Sequence, residues 1–152
     1  VGSEMCIRDR IDAIIESCDC LRLGLNAEDG AYIVPLNFAY VPGKPAKFYF
    51  HSAKEGRKVD MIGQGAKAGF ELDGAHRLGE AETGCRHTFF YQSVIGTGTV
   101  RPVETLEEKK RALSAIMAHY RKDCAFSFTD EQADAVAVFC LTAETMSCKQ
   151  HS

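Results

Sequence analysis

Residues 48–58 of the chain read Phe-Tyr-Phe-His-Ser-Ala-Lys-Glu-Gly-Arg-Lys, and this stretch organises the rest of the sequence. The aromatic run at 48–50 is typical of a β-strand. Ser52 stands three residues before Glu55, which is the spacing of a helix capping box. Apolar residues then recur with helical spacing over 58–62. The stretch therefore predicts a strand that runs directly into a helix.

The same turn carries three cations, Lys54, Arg57 and Lys58, next to His51 and Ser52. Cations near the start of a helix oppose the helix dipole, so they do not stabilise the helix. They are explained by a bound anion held between them and the free backbone N–H groups, and phosphate is the usual anion at such a place. The alternative interpretation is a solvated basic surface beside an ordinary helix.

Charge and composition exclude several functions for the chain as a whole. The 152 residues carry a net charge of −3 with a pI near 6.0, which argues against a general nucleic-acid or anionic-membrane binder. The sequence shows no signal-peptide pattern and no apolar run of about 18–20 residues, as a membrane span would need. Seven scattered cysteines favour reduced thiols. These features predict a cytoplasmic protein.

The order of secondary-structure elements predicts a mainly β (α+β) domain. Residues 1–10 show no clean periodicity and are interpreted as an irregular, possibly non-native segment, so a single domain is expected over 11–152. Strands are predicted at 20–25, 31–40, 47–51, 67–73, 88–103 and 135–141, and helices at 11–16, after residue 52, at 105–120 and from 129. Regular alternation of strands and helices is absent, which favours six antiparallel strands in a small barrel with helices packed outside.

Three further motifs are considered and given less weight. The Gly96-Thr97-Gly98 sequence lacks a following helix and a third glycine, so it is not a dinucleotide fingerprint. Cys18-x-Cys20 and Cys85-x-His87 could supply four zinc ligands, but the usual two-residue spacer is missing and no metal site is predicted. His51 could touch a cofactor or substrate, or it could be a histidine bonded to backbone. No acid stands near it in the sequence, so a catalytic triad is not predicted.

Three segments together carry a resemblance to a known family: 32–38 (Tyr-Ile-Val-Pro-Leu-Asn-Phe), 48–58 and 91–98 (Tyr-Gln-Ser-Val-Ile-Gly-Thr-Gly). Over about residues 11–149 the chain resembles the flavin-nucleotide-binding proteins related to pyridoxamine 5′-phosphate oxidase. The nearest branch is that of the nitroimidazole-resistance (Nim-type) proteins. The resemblance implies an FMN-binding split β-barrel and a homodimer with FMN between the subunits.

The resemblance also implies roles for individual residues. His51 is the expected catalytic residue, because some Nim-type relatives place an activity-linked histidine beside the flavin. Lys149 is expected to keep a family role, although Met146-Ser147-Cys148-Lys149 replaces the usual glycine before the lysine and puts the local turn in doubt. The expected cofactor-binding residues are Val34, Pro35, Leu36, Asn37, Phe50, His51, Ser52, Lys54, Arg57, Lys58, Gln92, Ser93 and Lys149.

The expected function is therefore an FMN-dependent oxidoreductase that reduces a small electrophile such as a nitro-aromatic compound. Two alternatives stay open. One is a flavin-binding or storage module without turnover. The other is a haem-binding protein on the same barrel, with His51, His76 or His87 as iron ligands.

Overall fold

A computed structural model describes the backbone of residues 3–151 and the side chains of residues 7–151. Seven strands form one antiparallel sheet in the order β2-β1-β5-β6-β7-β4-β3, with helices packed against it. The strands are β1 (Leu21–Ala27), β2 (Gly30–Leu36), β3 (Ala39–Val41), β4 (Lys47–Ser52), β5 (Ala66–Gly79), β6 (Thr88–Pro102) and β7 (Ala137–His151). The helices are α1 (Ser3–Ser17), α2 (Arg57–Ile62), α3 (Leu106–Tyr120) and α4 (Asp130–Asp134).

Alternating side chains along the strands build the core. In β1, Leu21, Leu23 and Leu25 are buried while the residues between them are more exposed. Aromatic residues fill the centre of the curved sheet: the rings of Phe48 and Phe70 lie 5.0 Å apart. Period-two burial of this kind buries one face of an antiparallel sheet, and the sheet then curls around that face. The mainly β split-barrel prediction is confirmed.

The sheet has seven strands, whereas six were predicted. The predicted second strand, 31–40, is broken at Asn37 and Phe38 into β2 and β3, which lie at opposite edges of the sheet. At the break the Phe38 N–H donates to the Tyr120 hydroxyl on α3 (3.2 Å) and so makes no ladder bond. The chain thus crosses from one edge of the sheet to the other at this point. Pro35 lies in edge strand β2, where a residue without a backbone N–H is tolerated.

Helix α1 begins at Ser3, so it includes most of the segment that showed no sequence periodicity. Val1 and Gly2 lie outside the described residues. Ile11, Ile14 and Ile15 pack their side chains into the core and hold the helix on the sheet. The Arg8 guanidinium donates to the Gly43 carbonyl oxygen at 3.3 Å. Tertiary packing therefore carries the helix beyond the part that the apolar pattern marks.

Strands β5 and β7 are longer than the sequence pattern indicated, whereas β6 ends at Pro102, one residue before its predicted end. Strand β5 continues past its predicted end at Asp73 as far as Gly79, with a bulge between Gly74 and Arg77. Strand β7 continues past its predicted end at Leu141 as far as His151. Residues 146–149 therefore lie in an extended strand paired with β6, and the cysteine at 148 is accommodated there without a turn.

Candidate functional site

The junction between β4 and α2 differs from the predicted capping box. Ser52 is the last residue of β4, and its hydroxyl donates to the Ala53 carbonyl oxygen at 2.7 Å. The helix begins at Arg57, with Gly56 at its N-cap and no side-chain cap. Gly56 has φ +144°, a conformation that favours glycine. The Ser52–Glu55 capping box is therefore wrong, but the prediction of a strand leading to a helix is confirmed.

Arg57 lies against the inner side of strand β2. Its guanidinium carbon is 4.6 Å from the centre of the Tyr32 ring, a cation–π distance. Its Nη2 atom is 3.2 Å from Oδ1 of Asp29 in the turn between β1 and β2. Both side chains of this ion pair are mostly exposed (53% and 78%), so the pair is weak and easily exchanged for another anion.

His51 and Lys58 lie close enough to interact electrostatically. Partial burial of the imidazole, and then the positive charge of Lys58, lower the pKa of His51. A lowered pKa keeps the ring neutral near pH 7, where one nitrogen carries a proton and the other is an acceptor. Among the described residues no hydrogen-bond partner is found for the His51 ring. His51 is therefore exposed at the end of β4 in its uncharged form, beside a cation.

The remaining predicted residues of this region fall into two groups. Pro35, Asn37 and Lys54 are exposed, and Lys54 lies 3.8 Å from the Asp134 carboxylate. The side chains of Leu36 and Phe50 are buried, and the Phe50 ring stacks on Phe139 at 5.3 Å. Any contact of this second group with a ligand would therefore come from the backbone.

Gln92, Ser93 and Lys149 form a second cluster, far from the first in the same chain. Ser93 pairs with Lys149 across β6 and β7, and Gln92 pairs with Gln150. The other end of β7 meets the first cluster, since Val138 pairs with His51. Val138 and Lys149 are eleven positions apart in the continuous strand β7, which corresponds to about 36 Å at about 3.3 Å per residue. One chain therefore does not bring the two predicted clusters together.

Sequence patterns did not reveal the cavity beside His51. It has a volume of about 300 Å³ and lies between the end of β4, helix α3 and the segment around α4. Its lining residues are His51, Leu113, Ile116, Met117, Phe128, Gln132 and Val136. The contributing elements are distant in sequence, so no local spacing signals the cavity. Tyr32 was also missed as a site residue, although period-two alternation places it on the face of Val34.

The other histidines and the cysteines do not extend this site. His76 lies in β5 with Nε2 2.7 Å from Oδ1 of Asp73, and Nδ1 of His87 lies 2.8 Å from the Thr83 carbonyl oxygen. Cys18 is buried and Cys85 is exposed. Among the side chains of residues 7–151, no group of three or more His, Cys, Asp or Glu is arranged to hold a metal ion. In the same part of the chain, none of the helices has the length and apolar character needed to cross a membrane.

Three solved structures show the same fold. A protein from Bacteroides thetaiotaomicron, described as a candidate 5-nitroimidazole antibiotic resistance protein, is 31% identical, with a TM-score of 0.79 over 92% of this chain and 81% of that one. The FAD- and haem-binding protein from Mycobacterium smegmatis is 17% identical, with a TM-score of 0.80 over 95% and 71% of the two chains. An FAD-binding protein from Mesorhizobium loti is 16% identical, with a TM-score of 0.64 over 100% and 96%.

The sequence itself gives the family assignment. No curated protein matches the chain. The family model described as pyridoxamine 5′-phosphate oxidase matches residues 8–150, nearly the whole chain. The 31% identical structure covers most of the chain with the same fold and agrees with this match. The chain therefore belongs to the pyridoxamine 5′-phosphate oxidase family, on the branch that resembles the nitroimidazole-resistance proteins.

Proposed function

We propose that the protein binds FMN between the two subunits of a homodimer and is an oxidoreductase that reduces a small electrophile such as a nitro-aromatic compound. The observation that carries the proposal is the pair of consecutive cations, of which Arg57 lies over Tyr32 in the edge strand β2 and Lys58 lies near His51. Family membership supports the flavin, because the family's solved structures include flavin-binding proteins.

The cations fit the phosphate of FMN. Arg57 and Lys58 are consecutive, and Gly56 before them leaves open space beside the backbone. The exposed Asp29 carboxylate forms an ion pair with Arg57. A phosphate carries more negative charge than one carboxylate and offers three acceptor oxygens, so it competes well for the guanidinium. Lys58, which has no carboxylate partner among the described residues, completes the phosphate site.

Strand β2 fits the ring of the flavin. Because β2 is an edge strand, backbone groups on one side of it make no ladder bonds in the described sheet. Val34, Pro35 and Asn37 would offer that backbone to the polar edge of the ring, and Tyr32 holds Arg57 in line with them. When bound, FMN supplies one- or two-electron transfer. Neutral His51 can donate a hydrogen bond from its protonated ring nitrogen to a substrate atom that gains electrons, and so stabilise the developing negative charge.

The separation of the two clusters supports the proposed homodimer. Gln92, Ser93 and Lys149 lie at the far end of β7 from His51, so they can complete the site only in a second copy of the chain. The outer face of the sheet also carries large exposed apolar residues, Ile33 (65% exposed) and Ile95 (56% exposed). Exposed apolar residues on an otherwise packed sheet are typical of an interface.

Absorbance spectra and anaerobic mixing test the proposed activity. We expect the purified protein to show oxidised-flavin bands, or to gain them with FMN. We also expect the reduced protein to be reoxidised by a nitroimidazole. His51→Ala should keep FMN and slow this reoxidation, whereas Glu131→Gln, an exposed change on α4, should not. A flavin that no donor reduces indicates a storage module, a Soret band indicates haem, and a protein that ignores FMN refutes the proposal.

Complementation tests the shared site separately. One chain carries Arg57→Ala and Lys58→Ala, and the other carries Gln92→Ala and Ser93→Ala. Each homodimer should bind FMN poorly. A heterodimer purified through two different tags should recover one intact site. In that site Arg57 and Lys58 of one chain meet Gln92 and Ser93 of the other chain across the interface. Failure of the heterodimer to recover binding would show that both clusters act within one chain, or that one of them is not used.

We also propose that the protein acts in the cytoplasm. The six cysteines whose side chains are described are unpaired, which is usual in a reducing compartment. A redox-insensitive melting temperature with and without a thiol reductant would support this placement.

A further inference from the structure

The cavity beside His51 has apolar walls. Leu113, Ile116 and Met117 form one wall from helix α3, and Phe128 and Val136 form the other from the segments that flank α4. Leu113 and Ile116 are also part of the buried side of α3. An apolar cavity of about 150 Å³ holds a benzene ring, so about 300 Å³ accommodates one or two rings.

Two polar side chains in the lining supply hydrogen-bond donors to the cavity. Oε1 of Gln132 accepts from the Thr129 N–H (3.0 Å) in the capping box of α4. The amide NH₂ of Gln132 is therefore its remaining polar group, and it is a donor. His51, the other polar residue of the lining, can donate from its protonated ring nitrogen. Both groups suit a ligand that carries a hydrogen-bond acceptor.

The residues that line the cavity also determine the charge of the ligands it can accept. No lysine or arginine lines it, so an ionised group inside would lose its water without gaining a counter-ion. We propose that this cavity binds the substrate of the flavin site, and that the substrate is an uncharged, flat molecule of one or two rings with a hydrogen-bond acceptor. Phosphorylated and carboxylate ligands are excluded from it. That the bound molecule is a substrate rests on the proposed function, but its binding to the cavity does not depend on flavin.

Benzamide and benzoate form a matched pair of probes, because they have the same ring and nearly the same shape and differ in charge. Calorimetric titration of the full-length protein, with and without FMN, should show benzamide binding at least about tenfold more tightly than benzoate. Intermolecular NOEs from the benzamide ring to the methyl groups of Leu113 and Met117 would locate it. Equal affinity for the two probes, or no detectable benzamide binding, would overturn the inference.

Three variants test the cavity directly. Val136→Phe fills it, and Gln132→Glu keeps the oxygen that caps Thr129 but replaces the NH₂ donor with a carboxylate oxygen. Each should weaken benzamide at least about tenfold. The control, Glu131→Gln, lies on the same helix outside the lining and should leave the affinity unchanged. If Val136→Phe fails to fold, Gln132→Glu still decides the matter, and unchanged affinity in a folded variant contradicts the inference.

The same samples separate this inference from the flavin proposal. FMN titration reports on the phosphate cluster, and benzamide titration reports on the cavity. Benzamide binding without FMN binding would refute the flavin site and leave an aromatic-binding cavity. FMN binding without benzamide binding would refute the cavity and leave the flavin site.

Discussion

Removing Arg57 and Lys58, the two cations proposed to hold the phosphate, should abolish most of the affinity for FMN while leaving the fold intact. The change is Arg57→Ala with Lys58→Ala. Charge-assisted hydrogen bonds to phosphate contribute about 1.5–3 kcal/mol each, so two of them give about 3–6 kcal/mol. Both residues lie in the short helix α2, where Arg57 is exposed and Lys58 is half-buried, and neither belongs to the buried core, so the substitutions remove little packing.

The contacts that Arg57 makes with Asp29 and Tyr32 reduce the expected loss of binding free energy. Before phosphate binds, the guanidinium is engaged by Asp29 at 3.2 Å and by the Tyr32 ring at 4.6 Å. The cation–π contact can persist with phosphate bound, but the ion pair must be exchanged. An exposed pair of this kind contributes up to about 1 kcal/mol. The net loss on double substitution is therefore about 2–5 kcal/mol, or roughly 30- to 5,000-fold in dissociation constant.

Titration with FMN and with riboflavin measures this loss and isolates its cause. Riboflavin has the same ring and ribityl chain but no phosphate, so its affinity should be nearly equal in wild type and variant. Lys67→Ala provides a protein control, because this exposed lysine pairs with Glu144 on another part of the sheet. If FMN affinity survives the double change, the phosphate is held elsewhere. If riboflavin weakens as much as FMN does, the substitutions have disturbed the ring site or the fold.

Three further predictions concern stability and are checked by thermal unfolding. The pKa of His51 is lowered in the folded state, so the unfolded chain takes up a proton at this position first as the pH falls. The wild-type protein should therefore lose stability relative to His51→Gln between about pH 7 and pH 5. Burial and the neighbouring Asp73 raise the pKa of Glu71 to about 7, so Glu71→Gln should stabilise the protein at pH 8 and have little effect near pH 4.5. Gly98→Ala would place Cβ 2.2 Å from the Thr142 carbonyl oxygen and should cost about 1–3 kcal/mol, whereas Gly24→Ala, with 3.6 Å of clearance, should cost less.

Local signals in the sequence predicted the helix caps only where no sheet contact competed. Thr105 accepts from the Glu108 N–H, and Thr129 forms a full capping box with Gln132, as their spacing indicated. Ser52 has the same spacing, yet it does not cap a helix. It is paired with Ala137 across β4 and β7, and this ladder keeps it extended. A three-residue spacing therefore identifies a cap only after the preceding strand has ended.

The position of the candidate site depended on contacts that no local pattern contains. The sequence placed the cations and His51 in one turn, and in the structure Lys58 lies near His51, whereas Lys54 lies near Asp134. The pairing of Arg57 with Tyr32 and Asp29 depends on how β2 folds back beside α2. The cavity depends on how α3 packs over the end of β4. Such long-range arrangements follow from the whole sheet, so spacing alone could not reveal them.

The length of β7 links flavin binding to dimer formation. At one end of this strand Val138 pairs with His51. At the other end Lys149 pairs with Ser93. Strand β7 runs continuously between the two pairings, so in the proposed homodimer the second chain completes the site. FMN that contacts both chains must then bind the dimer better than the monomer. By thermodynamic linkage, FMN must tighten the dimer by the same factor by which dimerisation tightens FMN.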